Sequence, residues 1–205
     1  MTNNTVESFY DNQWCSSKNR EEYDLILAML HHAIEFSYTK LGDLENKQIL
    51  DLGCGYGTQS LFFSSKRAHV TAIDISEECL KHIQTETITK KLKISTKKCD
   101  AEKLPFLSES FDLIYINSLL MHVDANVVLE TCAHLLKKNG KVIIIEPLKA
   151  HPLIKIYRFF SNYRKTNPKY MDLNKFKEMS TYFGSYSHQE FYFLSVVTLP
   201  FFLVL

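Results

Sequence analysis

Ile49-Leu50-Asp51-Leu52-Gly53-Cys54-Gly55-Tyr56-Gly57-Thr58, the run ILDLGCGYGT over residues 49–58, is the stretch on which the reading of the fold turns. Lys47 to Leu52 is a short β-type run, three glycines follow at alternate positions, and Thr58 to Lys66 then reads as a helix. Glycine at alternate positions permits left-handed dihedrals and lets the backbone approach a ligand, while the helix that follows presents free amides. A strand, a tight turn and a helix in this order make a cradle for something polar. The spacing departs from the dinucleotide fingerprint, because Thr58 stands where its third glycine would fall.

Outward from this turn, apolar strand-like runs alternate with helical ones, the pattern of a parallel sheet. Ala68 to Ile75 is a second strand, and Ser76 with Glu77 and Glu78 opens a helix to Lys90, with a hydroxyl cap and acids where the helix dipole favours them. Ile94 to Cys99, Phe111 to Ile116 and Lys141 to Glu146 read as strands three to five. Val127 to Leu136 is the helix between the last two, closed by Asn139 and Gly140. Upstream, Leu25, Ile26, Met29, Leu30, Ala33 and Ile34 recur at helical spacing within Glu21 to Phe36. Downstream, Leu153 to Tyr163 and Leu173 to Phe183 are helical, Gly184 closes the second, and Tyr186 to Val197 is a sixth strand. The expected architecture is an α/β, Rossmann-like, doubly wound sheet with helices on both faces.

A length of 205 residues fits one domain, since domains run to about 100–200 residues. Within it, residues 1–40 form a helical lid region whose Phe9, Tyr10 and Trp14 serve either as a lid over the ligand or as an ordinary surface anchor, residues 41–148 the ligand-binding core, and residues 149–205 a basic and aromatic carboxy-terminal region. The 24 Lys and Arg against 23 Asp and Glu leave a net charge of +1, which offers no global field for nucleic acid. Cys15, Cys54, Cys79, Cys99 and Cys132 are scattered, unlike a zinc or iron-sulfur motif, and read as reduced thiols of a cytosolic protein. The segment Met1 to Glu7 lacks the apolar core of a signal peptide, and no cluster of carboxylates and His at ligand spacing calls for a metal.

Carboxylates at the strand ends narrow the ligand. Asp74 ends the second strand, where it can accept hydrogen bonds from ribose hydroxyls. Asp100, followed by Ala101 and Glu102, is an acceptor for an exocyclic adenine amine at the end of the third strand, and Asp51 sits beside the turn, where its charge can orient an ammonium group directly or through water. Three negative groups around one ligand repel a pyrophosphate and suit a cation.

With these residues in place, ILDLGCGYGT (49–58), VTAIDI (70–75), DAEKLPF (100–106), SFDLIYI (110–116) and LKKNGKVIIIEP (136–147) resemble, in order, the motifs of class I S-adenosylmethionine-dependent methyltransferases. The resemblance covers roughly residues 40 to 150. It implies a seven-stranded sheet of order 3-2-1-4-5-7-6 with S-adenosylmethionine across the carboxyl ends of the first strands. It also implies that Asp51 and the glycines lie near the methionine moiety, Asp74 at the ribose, and Asp100 with Ala101 at the adenine. The cofactor-binding set expected is Asp51, Gly53, Cys54, Gly55, Gly57, Thr58, Asp74, Ile75, Asp100, Ala101, Glu102 and Asn117. The sequence departs from the family at its end, where one terminal strand is legible instead of a hairpin of two; the last strand is absent or the chain is truncated.

Methyl transfer is an in-line displacement, which asks the protein to hold a nucleophile about 3–3.5 Å from the methyl carbon. Asn117, Ser118 and His122 follow the fourth strand on the side where an acceptor approaches, and His122 is the candidate base, or else a histidine that packs on the cofactor edge or caps a carbonyl. The Asn/Asp-Pro-Pro-aromatic signature of amino-methylating enzymes and the Pro-Cys pair of cytosine-carbon methylation are both missing. A small or lipid-like acceptor with an O or N nucleophile remains. Lys149, Lys155, Arg158, Arg164, Lys165, Lys169, Lys175 and Lys177 interleave with aromatics ahead of the uncharged run from Phe191 to Leu205, a composition suited to a membrane surface though short of the about 20 residues of a span. A core strand followed by a packed tail is the competing reading of that run. Contact with RNA ranks behind both. A non-catalytic module that binds the cofactor or its demethylated product stays open, and a nicotinamide oxidoreductase is disfavoured by Thr58 and Asp100.

Overall fold

The computed structural model of the chain describes residues 20–148 and 168–191. Helix α1 spans Arg20–Thr39, followed by β1 (Gln48–Leu52), α2 (Thr58–Ser65), β2 (His69–Asp74), α3 (Glu77–Thr89), β3 (Ile94–Lys98), β4 (Phe111–Asn117), a 3-10 turn (Leu120–His122), α4 (Ala125–Leu135), β5 (Leu136–Ile145), α5 (Leu173–Met179) and a second 3-10 turn (Ser180–Tyr182). The five strands form one parallel sheet of order β3-β2-β1-β4-β5. The sheet is doubly wound: the order runs outward from β1 in one direction and, after the β3–β4 crossover, from β4 in the other.

Alternation along the strands sorts two apolar layers. Ile49, Val70, Leu113, Tyr115 and Ile145 join Ala33 and Ile34 of α1 and Phe63 of α2 on one face. Leu50, Leu52, Ile73, Ile114 and Ile116 pack with Val128, Leu129 and Cys132 of α4, and with Met171 and Met179, on the other. Both faces of the inner strands are covered, which is why β2 and β4 are rich in β-branched and aliphatic residues, while the edge strand β3 (ISTKK) is polar and partly exposed. Residues 99–110 cross from β3 to β4 without a helix, held by Ala101, Leu104 and Phe106 against the second layer. Strand order reverses between β1 and β4, and such sheets bind ligands outside the carboxyl ends of the strands at that reversal.

The two ends of the sheet differ in charge. Each helix that returns to the amino end is followed by cations: Lys66 and Arg67 after α2, Lys90 and Lys91 after α3, Lys137 and Lys138 after α4. Asp74, Asp100, Glu102 and Asp124 sit at the opposite end, with Lys97, Lys98 and Lys103 beside them.

Two expectations are corrected. Asn139 and Gly140 do not close a helix. The chain passes from α4 straight into β5 at Leu136, which pairs with Phe111, and the register then jumps so that Leu113 faces Lys141. The surplus residues bulge out through a left-handed Asn139 (φ 65°), so the same local preference serves a strand irregularity. The part of the expected sixth strand that is described, Tyr186 to Phe191, has no regular structure. Ser187, His188, Gln189 and Glu190 are all exposed and give a sheet no apolar side to bury, while Phe191 rests on Phe36 of α1 with ring centroids 5.2 Å apart. The expected helix at Leu153 to Tyr163, the aromatics Phe9, Tyr10 and Trp14, and residues 192–197 lie outside the described residues.

Candidate functional site

At the carboxyl end of β1 the chain turns through Gly53, Gly55 and Gly57, with φ of 72°, 50° and 79°. The amides of Gly53 and Cys54 donate to the Ile73 carbonyl at 2.8 and 2.9 Å, which fastens the turn to the end of β2. Two of the glycines serve opposite purposes. A Cβ on Gly57 would sit 2.5 Å from Cγ1 of Ile83, so α3 packs directly on the backbone there. A Cβ on Gly55 would meet nothing within 4 Å, so the turn faces open space at that residue.

Asp74 carries the turn from the other side. One carboxylate oxygen accepts the Gly55 amide at 2.8 Å and the other the Ser76 amide at 2.9 Å. Ser76, not Asp74, caps α3, its hydroxyl accepting from the Cys79 amide. Cys99 donates its amide to the Asp74 carbonyl at 3.1 Å, and this brings Asp100 to the end of β2, where it accepts from the Glu102 amide at 3.0 Å. Ile75 is half-buried beside Asp74, and Ala101 is buried in the apolar layer behind.

Asp51 is only 2% exposed, on the face of β1 covered by α1 and α2, and accepts a hydrogen bond from the Ser60 hydroxyl at 2.5 Å. Burial raises its pKa to about 7, with the Ser60 bond opposing and the nearby Asp74 reinforcing the rise. Tyr115, opposite Asp51 on β4, bonds Ser37 of α1 at 2.9 Å, so the helix expected in the lid region packs its last turns on the sheet beneath the site. In this conformation Asp51 offers its field and its hold on α2, not a surface for direct contact.

Other expected residues take structural places. Cys54 is buried with Ala72, Leu80 and Ile83, its thiol pKa pushed well up by burial. Thr58 is the first residue of α2 and exposed. Glu102 reaches across to accept the Asp124 amide at 2.7 Å, tying the loop after β3 to the start of α4. Asn117 ends β4 and accepts from the Ser118 hydroxyl at 3.1 Å. His122 closes the 3-10 turn, and burial lowers its pKa to about 4, which leaves the imidazole neutral at ordinary pH.

Sequence reasoning passed over Glu146, the last residue of the apolar β5 run. Its Oε1 accepts the Leu120 amide at 2.6 Å. Burial raises its pKa to about 8, although the amides of Leu120, Leu119 and Met121 all favour the charged form. The signal was available: an acid closing an apolar strand is what singled out Asp74. A cleft of about 400 Å³ between Gln48, His69, Thr87 and Lys93 lies at the amino end of the strands, away from all these carboxylates, and has no part in the site. Among the described residues, no three His, Cys, Asp or Glu side chains are grouped to hold a metal, and no helix is long and apolar enough to cross a membrane.

Residues 49–140 match the family model of a methyltransferase domain. The chain is 33% identical over 105 residues to the ubiquinone biosynthesis O-methyltransferase of Xylella fastidiosa (strain 9a5c), an overlap of 49% of this chain and 42% of the relative. It is 34% identical over 100 residues to the enzyme of that name from Coxiella burnetii (strain Dugway 5J108-111), covering 48% and 43%. The chain thus spans less than half the length of these relatives. In fold it is similar to the YcgJ protein of Bacillus subtilis (TM-score 0.65, 20% identity, 74% of this chain and 67% of that one). It also resembles Haemonchus contortus phosphoethanolamine N-methyltransferase 2, solved with S-adenosyl-L-methionine (TM-score 0.68, 19% identity, 85% and 43%).

Proposed function

We propose that the chain carries the core of a class I S-adenosylmethionine-dependent methyltransferase, in keeping with the methyltransferase-domain match over residues 49–140, and that it moves a methyl group from S-adenosylmethionine to an oxygen nucleophile of a small, lipophilic acceptor. The observation that carries the reading is the meeting of the open Gly55 turn with Asp74 and Asp100 at the point where the strand order reverses. The residues present fit the cofactor. Bare backbone at Gly55 admits close approach, Asp74 and Asp100 supply acceptors for ribose and adenine, and Asp51 and Asp74 give the negative field that a sulfonium and an ammonium require.

When bound, S-adenosylmethionine supplies an electrophilic methyl group. The chain's part is to orient and to exclude water. The turn and Asp74 fix one partner, while Asn117 at the end of β4 and Ser118 and His122 just beyond it are the groups offered to the other. His122 holds no proton at neutral pH and can accept a hydrogen bond from an acceptor hydroxyl, but the burial that keeps it neutral also makes it a weak base. Its role is therefore to aim the oxygen and to accept its proton only once the methyl group has moved, when the methylated oxygen is a far stronger acid than the imidazolium. The choice of oxygen over nitrogen rests on relatives that are named O-methyltransferases, and a lipophilic acceptor is in keeping with ubiquinone biosynthesis in their names. Contact with a membrane surface through residues 151–205 belongs to the same proposal and rests on their basic and aromatic composition.

Calorimetric titration with S-adenosylmethionine and S-adenosylhomocysteine, followed by turnover with radiolabelled methyl donor on a panel of phenols and amines, tests the reading. Binding of both nucleosides with label in a phenol is expected. Binding of NADH with no sulfonium binding would overturn it, and tight cofactor binding without turnover on any acceptor would favour a sensing module. Flotation on liposomes tests the membrane contact, which fails if the protein stays in the soluble fraction.

A further inference from the structure

Glu146 lies at the end of β5, behind the loop that leaves β4. The loop has an unusual shape: Ser118 takes a left-handed conformation (φ 58°) although it has a Cβ, and the chain then tightens into the 3-10 turn Leu120–His122. A non-glycine residue stays in that region only where its surroundings hold it. Three contacts do so. The Ser118 amide donates to the Ile145 carbonyl at 2.8 Å, the Leu120 amide donates to Glu146 Oε1 at 2.6 Å, and the Met121 carbonyl accepts the Lys169 amide at 2.7 Å. Oε2 of Glu146 is buried with no hydrogen-bond partner, so the side chain's hold on the loop runs through the Leu120 amide. The returning segment is tied in at the same place, where Leu148 bridges Met171 and Met171 packs in the layer that holds Leu120.

We propose that Glu146 is a positioning residue for methyl transfer: its buried carboxyl holds the Leu120 amide and so sets the loop that presents Asn117, Ser118 and His122 to the acceptor. This inference rests on the methyltransferase reading above and extends it to a residue that does not touch either substrate. The cofactor turn hangs on other contacts, those to Ile73 and Asp74, so Glu146 acts on the acceptor side. At neutral pH burial keeps the group protonated. Glutamine, with one carbonyl acceptor and an NH2 donor group in nearly the same shape, is therefore its close mimic.

The test compares the wild type with Glu146→Gln and Glu146→Ala in the full chain. Amide hydrogen exchange over residues 118–122, S-adenosylhomocysteine affinity, and turnover of catechol with labelled S-adenosylmethionine are the readouts. In Glu146→Ala, exchange over the loop should rise by about tenfold or more while the β1 peptide is unchanged, and kcat on catechol should fall by a similar factor with cofactor affinity within about threefold. Glu146→Gln should restore exchange and kcat to within about threefold of wild type. Loop exchange and kcat in Glu146→Ala equal to wild type would overturn the proposal. So would a Glu146→Gln variant as impaired as the alanine one, or a loss confined to cofactor affinity. If the wild type binds neither nucleoside, the methyltransferase reading falls, and the exchange comparison still decides whether Glu146 holds the loop.

Discussion

Replacing Asp51 by asparagine should make the protein more stable in alkaline solution and a poorer binder of its cofactor. Asp51 is 2% exposed and its carboxyl is raised from 3.8 to about 7 by burial. A rise of this kind means that the folded state holds a proton which the unfolded chain has already released. The stabilisation is fully present below about pH 4 and is lost as pH climbs through about 7. Three units correspond to about 4 kcal/mol, an upper bound that relaxation around Ser60 will reduce, so about 2 kcal/mol is a working figure. Asparagine keeps an oxygen for the Ser60 hydroxyl and never ionises. At about pH 8.5 Asp51→Asn should therefore melt roughly 4–8 °C above wild type, and at about pH 4.5 the two should nearly coincide. With S-adenosylmethionine present the order should narrow or reverse, because the variant lacks the charge that attracts an ammonium and should bind about tenfold more weakly. Differential scanning calorimetry at the two pH values, with and without cofactor, measures all four melts. A variant that melts below wild type at the higher pH, or a shift of equal size at both, would refute the account of Asp51 as an ionisation cost held for binding.

Other predictions concern single residues. Gly55→Ala should fold with a loss of about 1–2 kcal/mol from left-handed strain and abolish cofactor binding by calorimetry, because its methyl group enters the open face of the turn. Gly57→Ala should cost about 3 kcal/mol or more in urea unfolding, since its methyl group meets Ile83, and adding Ile83→Ala should recover less than the strain removed. NMR titration of the His122 imidazole should show no inflection between about pH 5.5 and 8, given a pKa lowered to about 4; a midpoint near 6.5 would mean that the ring is solvated. In a Cys15→Ser background, a thiol reagent at mild pH should label half-buried Cys99 before Cys54, Cys79 and Cys132, and early loss of Cys54 would show that the glycine turn opens readily.

Much of the fold was legible because its signals are local. Asp51 to Gly57 announces a turn through glycine chemistry, and Ser76 announces a helix start through its hydroxyl, which accepts the Cys79 amide as expected. The strand order followed from resemblance, not from periodicity, because pairing between β1 and β4 is a contact over some sixty positions that no local pattern encodes. Asn139 misled for the converse reason: a left-handed preference states a backbone angle and not which element needs it. The expected strand from Tyr186 to Val197 fails over its described part, Tyr186 to Phe191, where the polar, exposed Ser187 to Glu190 decide the outcome. At the site, the sequence named Asp74 and Asp100 by position at strand ends but had no means of showing that Asp51 turns inward to Ser60, since the face of β1 it occupies is set by the register of the whole sheet. Glu146 was missed because its significance lies in the Leu120 amide, 26 residues away in the chain.

The uneven placement of charge on the sheet bears on speed more than on affinity. A molecule of net charge +1 would be dismissed as electrostatically neutral, yet lysines and arginines gather behind the helix ends while the carboxylates gather at the opposite rim. Among the described residues this places a local negative field around Asp74 and Asp100, and a cationic ligand drifting nearby is drawn to that rim before it touches anything. Encounter should thus slow as salt shortens the reach of the field, while the rate of departure, governed by contacts already made, stays almost constant.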